Sequence, residues 1–305
     1  MSHLSFFWLE TNNQHYIRAI QSNLCHSIKK SARNNNLTLP SIPDILLNLN
    51  ILCKNPETTI HDVATLLIDD PVLTANIIRT ANAALFNRRN IVCHDILTAV
   101  SRLGIIRIKD IITAQIIYSL KNTTIENIEC NLLLKNSAFH SRKFAATMAL
   151  ICQKMHFYSN KPFKLEPDKA LLTGLLADIG LFGLINEYSQ FIQQGNYLDF
   201  NIAKYIFQDN CALTSKIVLK QWGFDEDYIA VATNTTASLN ESDINYLTIA
   251  RMAHHLLLFK TNDAAISEHE IELDLTGAEV MYELTNMSEL EFNDQLKQIT
   301  HSCGI

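Results

Sequence analysis

Apolar residues recur along this chain at the three- and four-residue spacing of helix faces, and no stretch sustains the alternation of a half-buried strand. The first forty residues read as one amphipathic helix, with Tyr16, Ile17, Ile20, Leu24 and Ile28 on one side, ending at Arg33-Asn34-Asn35-Asn36. Helix starts then follow in series. Ser41 is placed to cap a helix carrying Ile45, Leu46, Leu49 and Leu52, with Pro43 in its first turn. Thr59 with Asp62 forms a capping-box pattern ahead of Val63, Leu66 and Leu67. Asp70-Pro71 supplies an N-cap and first residue for a helix that turns Leu73, Ile77, Ile78, Ala81 and Leu85 inward. Asp95 caps the helix of Ile96, Ala99, Val100 and Leu103, and Gly104 offers its left-handed stop. A further helix carries Ile108, Ile111, Ile112 and Ile116, and after Lys121-Asn122-Thr123-Thr124 a long one spans roughly 128–157. Glu166-Pro167-Asp168 opens the next, which Gly180 and Gly183 close, and three more are expected up to about residue 259. Ser288 with Glu291 gives another capping box. The predicted fold is all-α.

Composition supports this reading and narrows the function classes. Apolar residues make up 48% of 305 residues, enough for a large core, while 8 Gly and 6 Pro favour long helices joined by short loops. The formal net charge of −6 argues against nucleic-acid binding by the surface as a whole. Seven scattered cysteines without a C-x-x-C pair fit reduced thiols and a cytoplasmic location. The apolar stretch 4–9 is too short for a signal-peptide core, and no membrane span is expected. Charge is segregated along the chain. Residues 79–109 hold six bases against one acid, and residues 261–296 hold ten acids with no Lys or Arg. The basic stretch is a candidate contact surface made of Arg79, Asn82, Arg88, Arg89, Arg102, Arg107 and Lys109, the bland alternative being a solvated helix face. P-loop, dinucleotide-binding, H-E-x-x-H and G-x-S-x-G motifs are absent. His254 and His255 are neighbours that diverge on a helix, and Cys152 with His156 lacks further ligands or an orienting acid. Phe6, Phe7 and Trp8 suit either a partner helix or packing on their own domain.

Several separated motifs carry a family resemblance. Leu39-Pro40-Ser41-Ile42-Pro43, Asn55-Pro56, Asp70-Pro71-Val72-Leu73-Thr74, Arg79-Thr80-Ala81-Asn82-Ala83 and Ala99-Val100-Ser101-Arg102-Leu103-Gly104 stand in an order and spacing that resemble the HDOD domain, the HD-related output domain of bacterial signalling proteins. The resemblance implies an HDOD domain over 36–235, preceded by the helix of 1–35 and followed by a helical extension, 236–305, with the acidic segment. It also implies two helical lobes. Most motif residues have a structural reading as caps and stops; Arg79 and Asn82 are the polar exceptions.

HDOD domains are related to metal-dependent HD phosphohydrolases, in which a metal polarises phosphate and activates water. Position by position, His140 resembles the first histidine of such sites. Ala177-Asp178 resembles the His-Asp doublet with its histidine replaced, and His254 stands where a late aspartate is expected. Alanine has no lone pair to offer a metal. The expected function is therefore a non-catalytic, regulatory signal-transduction module that binds a signalling protein or small ligand, with no cofactor. The alternative is a divergent phosphohydrolase of nucleotides or phosphate esters, using a weakly held divalent metal on His140, Asp178 and His254. The partner, pathway and oligomeric state stay open.

Overall fold

The computed structural model describes residues 3–9, 13–34, 37, 42–83, 91–122, 127–159, 163–235, 244–261 and 273–305. Helices account for the regular structure among them, and no strand occurs there. The chain divides into two compact units, one of residues 1–40 and 121–289, the other of residues 41–120 and 290–305.

The second unit is built from α3 (Asp44–Lys54), α4 (Ile60–Ile68), α5 (Pro71–Asn82), α6 (Ile96–Leu103), most of α7 (Ile105–Lys121) and most of α15 (Glu289–Ser302). Its caps follow the sequence closely. Thr59 and Asp62 form a reciprocal capping box on α4, and Asp70 accepts from the Val72 and Leu73 amides at α5. Asp95 accepts from the Thr98 amide, and Gly104, at φ 81°, ends α6 in backbone space that side-chain-bearing residues avoid. Leu49, Val63, Leu67, Ile77, Ala81, Val100, Ile108 and Ile112 form the core. Ser41 and Leu85 lie outside the described residues, and α3 starts after Pro43 with no side-chain cap.

The first unit holds a 3-10 turn (Leu4–Phe6), α1 (Asn13–Gln21), α2 (Asn23–Arg33), α8 (Ile128–Tyr158), α9 (Pro167–Leu176), α10 (Leu181–Gln193), α11 (Phe200–Gln221), α12 (Glu226–Thr233), α13 (Tyr246–Thr261) and α14 (Leu275–Asn286). The single helix expected at the N-terminus is two. Ser22 breaks it, its hydroxyl donating to the Ala19 carbonyl at 2.7 Å while accepting from the Cys25 amide at 3.1 Å. Gly183 does not close a helix but lies within α10, and among the described residues four helices, α10 to α13, follow α9 up to Thr261 where three were expected. The long helix α8 and the start of α9 at Pro167 agree with the sequence.

Segment Pro167–Gln193 is long and apolar enough to cross a membrane, yet 89% of its most apolar window is buried inside the protein. Its apolarity is explained by its place in the core. α9 packs against α8 so tightly that a Cβ on Gly174 would come within 2.6 Å of the Ala145 Cα.

Candidate functional site

Asp178 sits in the tight turn between α9 and α10, 2% exposed, where the Leu181 amide donates to its carbonyl. Helix α8 meets this turn with Ser137 and Ser141, which four-residue helical spacing sets on one side. The last residue of α7, Lys121, reaches the same place and is 1% exposed.

Lys121 forms a buried ion pair with Asp178 Oδ1. Its remaining protons go to Ser141 Oγ at 2.9 Å and to the Leu175 carbonyl at 3.4 Å. Ser137 donates to the other oxygen, Asp178 Oδ2, at 2.6 Å. Both carboxylate oxygens and the ammonium are thus hydrogen-bonded, the condition under which a buried ion pair offsets its desolvation.

Ala177, His140 and His254 are each engaged by the N-terminal segment. His3 Nε2–H donates to the Ala177 carbonyl at 3.0 Å, and His3 Nδ1 accepts from the Ser5 hydroxyl at 2.8 Å; a carbonyl can only accept, which sets this tautomer. Burial pushes His3 down to about 4, against the pull of the Asp178 carboxylate. His254 Nδ1–H, on α13, donates to the Leu4 carbonyl at 2.7 Å. His140 stacks on Trp8, ring centroids 4.8 Å apart and planes 9° from parallel, with Phe7 edge-on at 5.5 Å. Burial pushes His140 down to about 4, aided by Lys143. Of the two readings open for Phe6, Phe7 and Trp8, the structure takes packing on the chain's own unit.

HD-type folds imply a divalent metal, and the residues present do not fit one. Position 177 lacks an imidazole, and each oxygen of Asp178 is already hydrogen-bonded, one to an ammonium and the other to a hydroxyl. Among the described residues no group of three His, Cys, Asp or Glu side chains is arranged to hold a metal. A positive charge does stand against the aspartate. It belongs to Lys121.

Sequence reasoning missed Lys121, Ser137, Ser141 and His3. Lys121 opens the run Lys121-Asn122-Thr123-Thr124, and a lysine ending an apolar run resembles an ordinary solvated helix end. The two serines flanking His140 on an otherwise apolar face were the available signal.

The candidate contact residues lie in the second unit. Asn82 brackets Cys93, donating to its carbonyl and accepting from its amide, each at 2.7 Å. Arg102 donates to the Ala81 carbonyl at 2.9 Å and the Ile91 carbonyl at 2.8 Å. Both therefore tie the unit's own backbone together. Arg79 donates to Asn76 Oδ1 at 3.1 Å, Arg107 and Lys109 are half-buried, and Arg88 and Arg89 lie outside the described residues.

The helices and this cluster define an all-α protein of HD-like type whose doublet aspartate is paired with a lysine. A family model for the HDOD domain matches residues 39–238, and the chain belongs to that family. Two solved structures share the fold. A proposed metal-dependent phosphohydrolase from Shewanella amazonensis SB2B is 20% identical with a TM-score of 0.70, covering 92% of this chain and 98% of that one. A second proposed phosphohydrolase from the same organism is 18% identical with a TM-score of 0.54, covering 92% and 99%. At such identities the likeness shows the fold alone. No functionally curated protein matches the chain.

Proposed function

We propose that this chain is a cytoplasmic, non-catalytic signal-transduction module that acts by binding a signalling protein or a small ligand. The single observation that carries the reading is the capture of Asp178 by Lys121 and Ser137. A carboxylate whose charge is already met by an ammonium is a poor ligand for the dication that activates water in a metal-dependent phosphohydrolase, which supports the non-catalytic reading. Membership of the HDOD family supports the signalling role, and seven free cysteines support a reducing compartment. Binding would act by favouring one packing arrangement over another, which needs unequal affinity for the two. Arg79, Arg107 and Lys109, with Arg88 and Arg89, are the proposed partner-facing residues. Nucleic acid is disfavoured by the net charge of −6.

The test is turnover. The purified chain is incubated with nucleotides and generic phosphate esters in the presence of manganese. Rates equal to the no-enzyme control, and unchanged in Asp178→Asn, are expected. Metal-dependent cleavage abolished by that substitution would replace this reading with a divergent phosphohydrolase.

A further inference from the structure

Three family-matched positions, Ala177, His140 and His254, each meet the same short stretch of chain. His3 bonds the Ala177 carbonyl, the Leu4 carbonyl receives the His254 proton, and Trp8 with Phe7 covers His140. Between these anchors His3, Leu4, Ser5, Phe6 and Phe7 are each at most 6% exposed. The stretch carries little secondary structure beyond the turn Leu4–Phe6, closed by the Phe6 amide on the His3 carbonyl at 3.0 Å. It contacts α8 and α13, the helices that bear His140 and His254.

This is the pattern of a bound peptide: a backbone carbonyl caught by a fixed donor, with side-chain pockets supplying selectivity. We propose that the face made by α8, α13 and the turn at Ala177 is a peptide-binding seat and that residues 3–9 are its releasable occupant in cis. The partner it fits is a segment of the same chemistry, an aliphatic residue followed by two or three aromatics, presented by another protein. Such a segment would displace residues 3–9 and expose Phe6, Phe7 and Trp8, which gives binding a structural consequence. His140 and His254, once matched to metal ligands, become the floor and the donor of a peptide seat.

The proposal rests on the reading that this seat holds no metal. Metal analysis tests that reading separately, since peptide exchange and metal content are independent readouts. Hydrogen exchange on the unmodified full chain comes first. Residues 3–9 are expected to open locally, so the Phe6 and Leu9 amides exchange at least 100-fold faster than those of Phe144 to Ile151 in α8. Equal rates in the two segments would make residues 3–9 an inseparable part of the core and overturn the proposal. The second experiment uses a fluorescein-labelled synthetic peptide of residues 3–9. It is titrated against the full chain and against the Phe6→Ser/Phe7→Ser full chain, whose own segment is weakened. Affinity at least 10-fold higher for the variant supports a vacated seat. Equal affinity for both chains, or no binding to a variant whose helix content matches the parent, overturns it. If the variant fails to fold, the exchange result decides.

Discussion

Replacing Lys121 with methionine keeps all but the terminal atom's reach of the side chain and removes its charge. Asp178 would then be left in a site where it is 2% exposed, with Ser137 as its remaining side-chain donor. Removing one partner of a buried ion pair costs about 3–5 kcal/mol, because the other charge stays desolvated and uncompensated. Asp178→Asn strands the ammonium in the same way and carries a penalty of the same order. The informative variant is the double one. With both charges gone, each residual group is neutral, and the double replacement should be less destabilised than either single. That corresponds to a coupling of at least about 3 kcal/mol, at the top of the range seen for contacting residues. Urea unfolding followed by tryptophan fluorescence is the assay, since Trp8 and Trp222 both belong to the unit that holds the pair. Additivity of the two single effects to within about 0.5 kcal/mol would refute the reasoning.

Further outcomes follow from other parts of the structure. His3 is held at about 4 against an ordinary 6.5, so the unfolded chain takes up its proton first as pH falls. Its stabilisation is complete above pH 6.5 and declines by about 3 kcal/mol between 6.5 and 4; His3→Gln should make that part of a urea-midpoint-versus-pH curve shallower, His140 keeping its own share of the slope. Gly174→Ala forces a methyl against the Ala145 backbone and should cost about 1–3 kcal/mol by the same fluorescence assay, as overpacking does. Asn82→Ala leaves the Cys93 amide and carbonyl without their bracket; a loss of about 1–3 kcal/mol is expected in hydrogen-exchange protection of α5 and α6.

What could be read from the sequence was mostly local. Thr59 with Asp62, Asp70 before Pro71, Asp95 and Gly104 act on amides or dihedrals within four residues, so their roles are visible in the order of residues alone. The length of α8 followed from its uninterrupted helical pattern. Ser22 was harder to read, because serine is tolerated within helices and becomes a break only when its hydroxyl takes the Cys25 amide. Ala177-Asp178 marked the right turn of the chain. Its chemistry, however, depends on a lysine 57 residues earlier and on a histidine 174 residues earlier. Such separations leave no periodic trace, and a lysine at the end of an apolar helix reads as solvated until the fold buries it. The same limit applied to Phe6, Phe7 and Trp8, whose aromatic character announced a contact without naming its site.

The central claim is that Lys121 supplies, against Asp178, the positive charge that a metal supplies in an HD phosphohydrolase. It is tested most directly by elemental analysis for zinc, manganese and iron on the purified chain, beside Asp178→Asn. The account predicts well under one equivalent of any of them per chain, with no difference between the two proteins. A full equivalent in the parent that disappears in Asp178→Asn would contradict it.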